Sequence, residues 1–543
     1  MLLLACVPLE IGEDSAPVEG PQVEIEQIPG LEDPSAPVFD PTRVADLALT
    51  MDPTDWLDVR DDPWSKHWVQ ADFQWGEERV EQIGVRAFGS GSVRAGKPSL
   101  KLSFDRNLDG QTWRGLDELK LDNSSQDPGF LNERVATAAL RRAGVPASRT
   151  GWARVTVNGD YAGFFVVLES VDDRFVERWF GHDDGPLYSM NAHNWGQGLN
   201  PMQDPLTWYE PETSYGGDGS ELALAADRLA HEEISSVLEV LDLEGFFRES
   251  IARSVMGSLD AFSADGNNFY LFVDEGRVRI IPWDFDVDLG GYYTGTALTV
   301  DPRAPWLTSP WSYNSHSGAP YTDPVLLRAL EEGYDPEALV AELIEGPLSW
   351  ERMDADAKEA AGLIANNVHE DVFGYGPAFD RRRHDLRLFL HARWSVLAGQ
   401  EVAPCPAPGG LVVSELSPSG SVGWGELLID ATNWGPGFNV AGEHYCTGLF
   451  AHAPSTVTLE LPQGGVLSGA AGLQDWNQAC GDGAAFQVSQ GELLWESPVL
   501  RNYDPAEAFE VEVEEGPVTL TSTSGANYSC DTSVWLDLVL RPS

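Results

Sequence analysis

A chain of 543 residues exceeds what one hydrophobic core usually organises, so at least two folded units are expected. Apolar content of 42%, with 19 Trp and 22 Phe, supplies core material and excludes global disorder. With 86 acidic against 34 basic residues the net charge is −52, a field that repels nucleic acid and anionic lipid and argues for a solvated acidic surface.

The chain opens on Met1-Leu2-Leu3-Leu4-Ala5-Cys6, an apolar run closing on a small residue and a cysteine, which resembles the end of a lipoprotein signal (1–6). Residues 7–42 are acidic and Pro-rich, too poor in apolar surface to offset chain entropy, and read as a disordered tether. Beyond it, 68–75, 82–88 and 100–104 read as strands between Gly-rich turns, and 132–143 has helical spacing that ends at Gly144. Strands return at 153–157 and 163–169 across Asn158-Gly159, a hairpin signal. Residues 190–219 read as a long loop and candidate lid. Residues 220–259 are helical in pattern, 268–273 and 277–282 form a second hairpin, and helical periodicity resumes over 323–397. The segment 43–400 is therefore expected to be one α+β domain.

A boundary at Pro404-Cys405-Pro406 is followed by β-branched residues alternating with Gly and Ser turns, so 406–543 reads as an all-β sandwich. Cys405, Cys446, Cys480 and Cys530 suggest two disulfides there, with three connectivities open. No run of 18 apolar residues is present, so membrane association is expected only through a lipid anchor.

Three groups of residues carry chemistry. Residues 84–92 (GVRAFGSGS) form a Gly-rich turn with Lys97 and Lys101 just beyond. Glycines let backbone N–H groups approach phosphate oxygens, and a strand-borne lysine adds a point charge. A plain hairpin loop explains such a turn as well; what favours phosphate is that two of only five lysines stand beside it. Lys101, alternating with Ser99 and Ser103, is the better phosphate contact. Glu133 opens a helix, where the dipole alone accounts for an acid, and the functional alternative pairs it with Lys101. The third group is Asp260, Asn267-Asn268 and the run Pro282-Trp283-Asp284-Phe285-Asp286. Carboxylate and amide oxygens at a strand end suit a hard divalent cation, and Asp260 emerges nearby to orient or deprotonate an attacking hydroxyl. With 86 acids in the chain, a solvated face is the competing explanation for Asp286 and Asp288.

In this order the motifs resemble the CotH kinase family: Arg86, Gly89, Gly91, Lys97 and Lys101; Asp127, Pro128 and Glu133; Ala143–Pro146; Val157 to Glu169; Asp260 with Asn267-Asn268; and Pro282–Asp286. The resemblance covers about 350 residues and implies an atypical protein-kinase-like, two-lobed domain using ATP with Mg²⁺ or Mn²⁺. It implies that Arg86, Gly89 and Lys101 meet phosphates, with Glu133 as the ion partner of Lys101. Glu169 would lie near the nucleotide's hinge strand. Asp260 and Asp284 would be catalytic, and Asn268, Asp284 and Asp286 would hold metal. The insertion AFSADGN after Asp260 departs from the pattern and leaves open which amide is the ligand, with Asp265 close enough to intrude.

The C-terminal segment resembles the NPCBM family through 444–453, 469–475, 486–488 and 530–535, which implies glycan binding. Trp476 and Trp495 are candidate stacking rings, weighed against the commoner core role of Trp in a sandwich. His452 reads as structural. The expectation is an extracytoplasmic, surface-tethered kinase phosphorylating Ser or Thr of a secreted or surface protein. A non-catalytic adhesion scaffold and a sugar or small-molecule kinase are the alternatives.

Overall fold

The computed structural model describes residues 33–191, 194–213, 215–291, 294–305, 314–398, 410–412, 416–432, 435–436, 438–441, 443–445, 447–474, 482–502, 504–525 and 530–542. Cys6, residues 7–32, Cys405, Cys446, Cys480 and Trp476 lie outside the described residues.

The first seven strands are β1 Val44–Met51, β2 Val69–Trp75, β3 Glu78–Ala87, β4 Leu100–Ser103, β5 Glu118–Asp122, β6 Thr150–Val157 and β7 Asp160–Glu169. Period-two burial drives them together: in β2 every second residue of VQADFQW is buried. They close into a barrel of order β1-β2-β3-β4-β5-β7-β6, because β1 pairs antiparallel with β2 and parallel with β6, from Val44 opposite Trp152 to Leu49 opposite Val157. Inside lie Leu47, Phe73, Val85, Leu102, Leu119 and Phe165. Phe104 and Trp113 meet Phe73 edge-on at 5.2 and 4.7 Å.

The mixed helix and sheet content expected for this domain is present, but closure into a barrel is a finding that the strand pattern did not give. Neither β1 nor β5 was among the expected strands. Three of the five residues of ELKLD are charged, and its strand state depends on partners distant in sequence.

Residues 33–42 correct the expected extent of the tether. Ala36–Phe39 form a short 3-10 helix whose Val38 and Phe39 are buried in the barrel cluster, while Asp33 and Ser35 bind the Arg149 guanidinium. Two apolar residues with a specific polar anchor outweigh the Pro-rich composition.

After β7, α3 Asp173–Phe180 leads to β8 Leu187–Met190, which joins β9 Tyr209–Pro211, β10 Phe269–Asp274 and β11 Arg277–Pro282 in a sheet of order β11-β10-β8-β9. The expected long loop 190–219 thus contains a strand paired to β8. The remaining helices are α1 Pro53–Asp61, α2 Asn132–Arg142, α4 Ser220–His231, α5 Ile234–Val240, α6 Leu243–Val255, α7 Phe262–Asp265, α8 Thr294–Thr299, α9 Pro324–Glu331, α10 Pro336–Glu345, α11 Trp350–His369 and α12 Gly376–Leu397. The outward residues Trp152, Phe164, Val166 and Leu168 of the barrel share one buried cluster with α2 and α6. No described helix is long and apolar enough to cross a membrane.

Residues 410–542 hold two main antiparallel sheets. One centres on Ser533–Pro542 beside Gly465–Leu473, the other on Gly516–Ser524 between Ser455–Leu461 and Ala484–Gln490. Trp535, Phe486 and Leu520 lie in the core they share. His452 is buried and its Nδ1 is 2.8 Å from the Ala453 carbonyl, as a structural histidine would be. Trp495 packs 5.0 Å from Phe509 at the core edge rather than standing out as a platform.

Candidate active site

The alternation that buries Val85, Leu102 and Leu119 inside the barrel turns their neighbours outward. Arg86 lies directly opposite Lys101, and Lys101 directly opposite Lys120, so three cations form a row across β3, β4 and β5. Like charges opposite one another weaken a sheet, and this chain has only five lysines with which to do so. The three side chains differ in what they meet. Lys101 Nζ pairs with Glu118 at 2.8 Å. Arg86 is half-buried over the Trp68 ring at 5.0 Å, its Nε without a hydrogen-bond acceptor.

Lys120, which sequence reasoning missed, is the most enclosed of the row. Its ammonium lies 4.1 Å from the Trp283 ring centroid and 3.4 Å from Tyr270 Oη, and burial pushes its pKa down. Glu118, Glu212, Asp172 and Asp284 act on it only through their fields. The signal available in the sequence was its place as one of five lysines, at an alternate position of ELKLD.

Facing Trp283 are the acids. Asp284 and Asp286 are within hydrogen-bonding reach of each other, and both are held above the ordinary carboxylate range. For Asp284 burial is the main cause, then the Asp260 charge, and the pKa rises to about 7. For Asp286 burial comes first, then Asp284. Asp260 Oδ1 accepts from Asn267 Nδ2 at 2.5 Å, and its main-chain carbonyl accepts from Asn268 Nδ2 at 3.2 Å. Asn268 and Asp284 both hold left-handed backbones, with φ of 56° and 57°, and Trp283 N donates to the Asn268 carbonyl at 2.9 Å. Asp265, flagged as an intruder, is buried and hydrogen-bonded to Asp260, with its pKa raised by burial first and the Asp260 charge second.

Two expected roles change. Glu133 does not meet Lys101: its Oε1 accepts the Phe285 N–H at 2.8 Å, and burial, then the Asp284 charge, lifts its pKa well up. The helix dipole puts the acid at the start of α2, and the Pro282–Asp286 segment uses it as a cap. Glu169 is buried between Arg149 (2.6 Å) and Arg178 (2.7 Å), so its carboxylate is taken up by two ion pairs. Burial opposes its ionisation, but the two guanidiniums outweigh burial and bring the pKa down to about 2. A depressed pKa stabilises the fold above the unfolded value near 4.5 and is lost as pH falls through about 2. Glu169→Gln is therefore expected to cost roughly 3 kcal/mol at pH 7, with the difference from wild type shrinking in urea unfolding at pH 3.

Lys97 is not at the surface of the phosphate turn. It is fully buried, paired with Asp371 at 2.9 Å, and surrounded by Phe130, Phe165, Phe373 and Tyr375 at 4.9 to 5.7 Å. The glycine at 163 is required there, since a Cβ would stand 2.8 Å from Lys97 Cε. Gly89 has φ of +104°, a conformation that favours glycine, in the turn beside the cation row.

The family model described as CotH kinase protein matches residues 85–379, more than half of the chain and every motif residue above. The chain belongs to the CotH kinase family. Behind the CotH domain, the NPCBM/NEW2 domain model matches residues 411–541. Inner spore coat protein H of Bacillus subtilis is 21% identical over 267 residues, covering 47% of this chain and 71% of that protein. Alpha-1,3-galactosidase B of Akkermansia muciniphila is 34% identical over 125 residues, 22% of this chain, and the chain spans only 16% of that enzyme's length. Among solved structures, the Helicobacter pylori proinflammatory kinase CtkA is similar at 12% identity with a TM-score of 0.27, covering 57% of this chain and 95% of that one.

The metal that the CotH family implies can be tested against the donor set. Among the described residues no three His, Cys, Asp or Glu side chains already converge as a metal shell. Asp284 and Asp286 nevertheless fit the role: two part-buried carboxyls that repel each other unless a proton or a cation lies between them, with the Asn268 side chain held by the Asp260 main-chain carbonyl. Hard oxygen donors of this kind suit Mg²⁺ or Mn²⁺.

Proposed function

We propose that the CotH domain transfers the γ-phosphate of ATP to a Ser or Thr hydroxyl of a secreted or surface protein. The observation that carries this reading is Lys120: a buried ammonium on the outer barrel face, between Arg86 and Lys101 on one side and Asp284 on the other, in a chain of net charge −52. A buried cation with no carboxylate in contact is costly unless a ligand supplies the anion. The cation row would hold the triphosphate, with Lys120 deepest and the Gly89 turn above it.

Asp284, Asp286 and the Asn268 amide would hold the divalent cation, which supplies charge neutralisation on the phosphate oxygens. Asp260, its carboxylate oriented by Asn267, would receive or orient the proton of the acceptor hydroxyl. Phosphoryl transfer depends mostly on such positioning and charge, with little covalent work for the protein.

The NPCBM/NEW2 domain would dock the enzyme on a glycan, consistent with relatives named for a spore coat and for a galactosidase. Placement outside the cytoplasm, held by a lipid on Cys6 and the tether, completes the reading, and two disulfides among the C-terminal cysteines would accord with it.

The test is nucleotide binding and transfer by the full chain with Mg²⁺ or Mn²⁺, for wild type and Lys120→Met. Wild type is expected to bind ATP. Lys120→Met should weaken binding about a hundredfold, while thermal unfolding without nucleotide stays unchanged or moves upward, because an uncompensated buried charge has gone. No ATP binding by folded wild type would sink the reading.

A further inference from the structure

α6 carries a side chain that none of the motifs marks. Arg253 is 0% exposed, a depth at which an arginine needs partners for its charge; its two terminal nitrogens find carbonyl acceptors, while Nε has no hydrogen-bond acceptor and only the charge of Asp288 beside it. Here it donates to the main-chain carbonyls of Asp260 at 3.0 Å, Trp283 at 3.2 Å and Asp284 at 3.3 Å. It also lies 3.5 Å from the Asp288 carboxylate and 4.2 Å from the Phe285 ring centroid. One planar group thus touches the two separate segments that carry Asp260 and Asp284.

Those segments need holding. Asp284 sits at φ 57°, a left-handed conformation that strains a non-glycine residue, and its carboxyl is within hydrogen-bonding reach of Asp286. Asp260 follows α6 in a turn whose own side chain is tied to Asn267. Asp288, on the far side of the guanidinium, is itself fixed by Ser258 Oγ at 2.5 Å and draws Arg253 toward the Pro282–Asp286 segment. The fork of Arg is what lets a single residue reach carbonyls on both segments, and a lysine ammonium has no such fixed geometry.

We propose that Arg253 is a positioning residue for phosphoryl transfer, setting the separation of Asp260 and Asp284 by gripping the main chain beneath each. This rests on the kinase reading above. Arg253 is buried and reaches only the main chain of the two segments, so its loss is expected to act on the chemical step more than on ATP affinity, to which the cation row on the barrel contributes without it.

The experiment compares the full chain with Arg253→Lys and Asp288→Asn, reading thermal unfolding, Mg²⁺-dependent ATP affinity, and kcat and KM separately. Arg253→Lys is expected to bind ATP within about threefold of wild type while kcat falls about a hundredfold, the usual cost of a displacement near 1 Å. Asp288→Asn keeps the carbonyl bonds and should lose about tenfold in kcat, and it carries the test if Arg253→Lys does not fold. Wild-type kcat in folded Arg253→Lys overturns the proposal, as does wild-type kcat in Asp288→Asn when the lysine variant is unfolded. Parallel loss of ATP affinity and kcat in a folded variant also overturns it, since that marks a structural role. A wild type that neither binds nor turns over ATP fails the kinase reading first, and that arm is seen independently of the variants.

Discussion

Asp284→Asn in the full chain is expected to lower phosphoryl transfer by about a thousandfold or more while leaving the domain folded. Three observations support the size of the effect. Asp284 stands just beyond β11 among acids whose charges oppose one another, its carboxyl is paired with Asp286, and its charge acts on the deepest cation of the row. The variant should also lose metal-linked stabilisation: saturating Mg²⁺ at about 100 times its dissociation constant stabilises a binding fold by about 2.7 kcal/mol, and this shift should be seen in wild type and be absent from Asp284→Asn.

The pH dependence follows from the raised pKa. A carboxyl whose folded value is about 7 and whose unfolded value is near 3.8 contributes stability below pH 3.8, and that contribution is lost as pH rises through 7. Metal-free wild type should therefore unfold at a lower temperature at pH 8 than at pH 6, and Asp284→Asn should show a shallower slope. Full activity in the asparagine variant would falsify the assignment of Asp284.

The second large effect concerns stability. Lys97→Met is expected to cost about 3 to 5 kcal/mol, because it leaves the fully buried Asp371 charge without its partner. Asp371 would keep only backbone donors, the Phe164 N–H at 2.8 Å and the Phe373 N–H at 3.0 Å. The ammonium also donates to the Asn123 carbonyl at 3.1 Å, so the loss spreads from the glycine turn to the start of α12. Removing both charges in Lys97→Met/Asp371→Asn should recover part of the loss, since no ion is then orphaned. Urea unfolding followed by tryptophan fluorescence measures both. A single variant within about 1 kcal/mol of wild type would show that the pair is not needed.

Charge, length and motif order carried the sequence reading a long way. The local pattern placed β4, α2, β10 and β11 within a residue or so of where they are, because each has its periodicity written in adjacent residues. The Asp260, Asn268 and Asp284 group was legible for the same reason: turns and strand ends advertise polar clusters in an apolar stretch. Lys120 was not legible, since β5 is short, with three of its five residues charged, and only its register beside Lys101 reveals the row. Arg253 was not singled out either, because its partners lie on segments that only the fold brings to it.

The partners of Glu133 and Glu169 show where local information stops. The resemblance implied an ion pair of Glu133 with Lys101 and a place for Glu169 near the hinge strand, and neither partner was written locally: Glu133 accepts the Phe285 N–H across 152 residues, and Glu169 sits between two arginines. Likewise a Pro-rich segment that looked like tether supplies Val38 and Phe39 to a barrel. By itself the sequence determined the family, the order of its motifs, the acidic charge and the period of strands such as β4, β10 and β11, because these depend on residue identity and near neighbours. Closure of the barrel, the row of three cations, the burial of Lys97 and the grip of Arg253 on two segments were decided by tertiary structure alone. Each is a pairing between residues far apart in the chain, and such pairings are set by register and burial rather than by local preference.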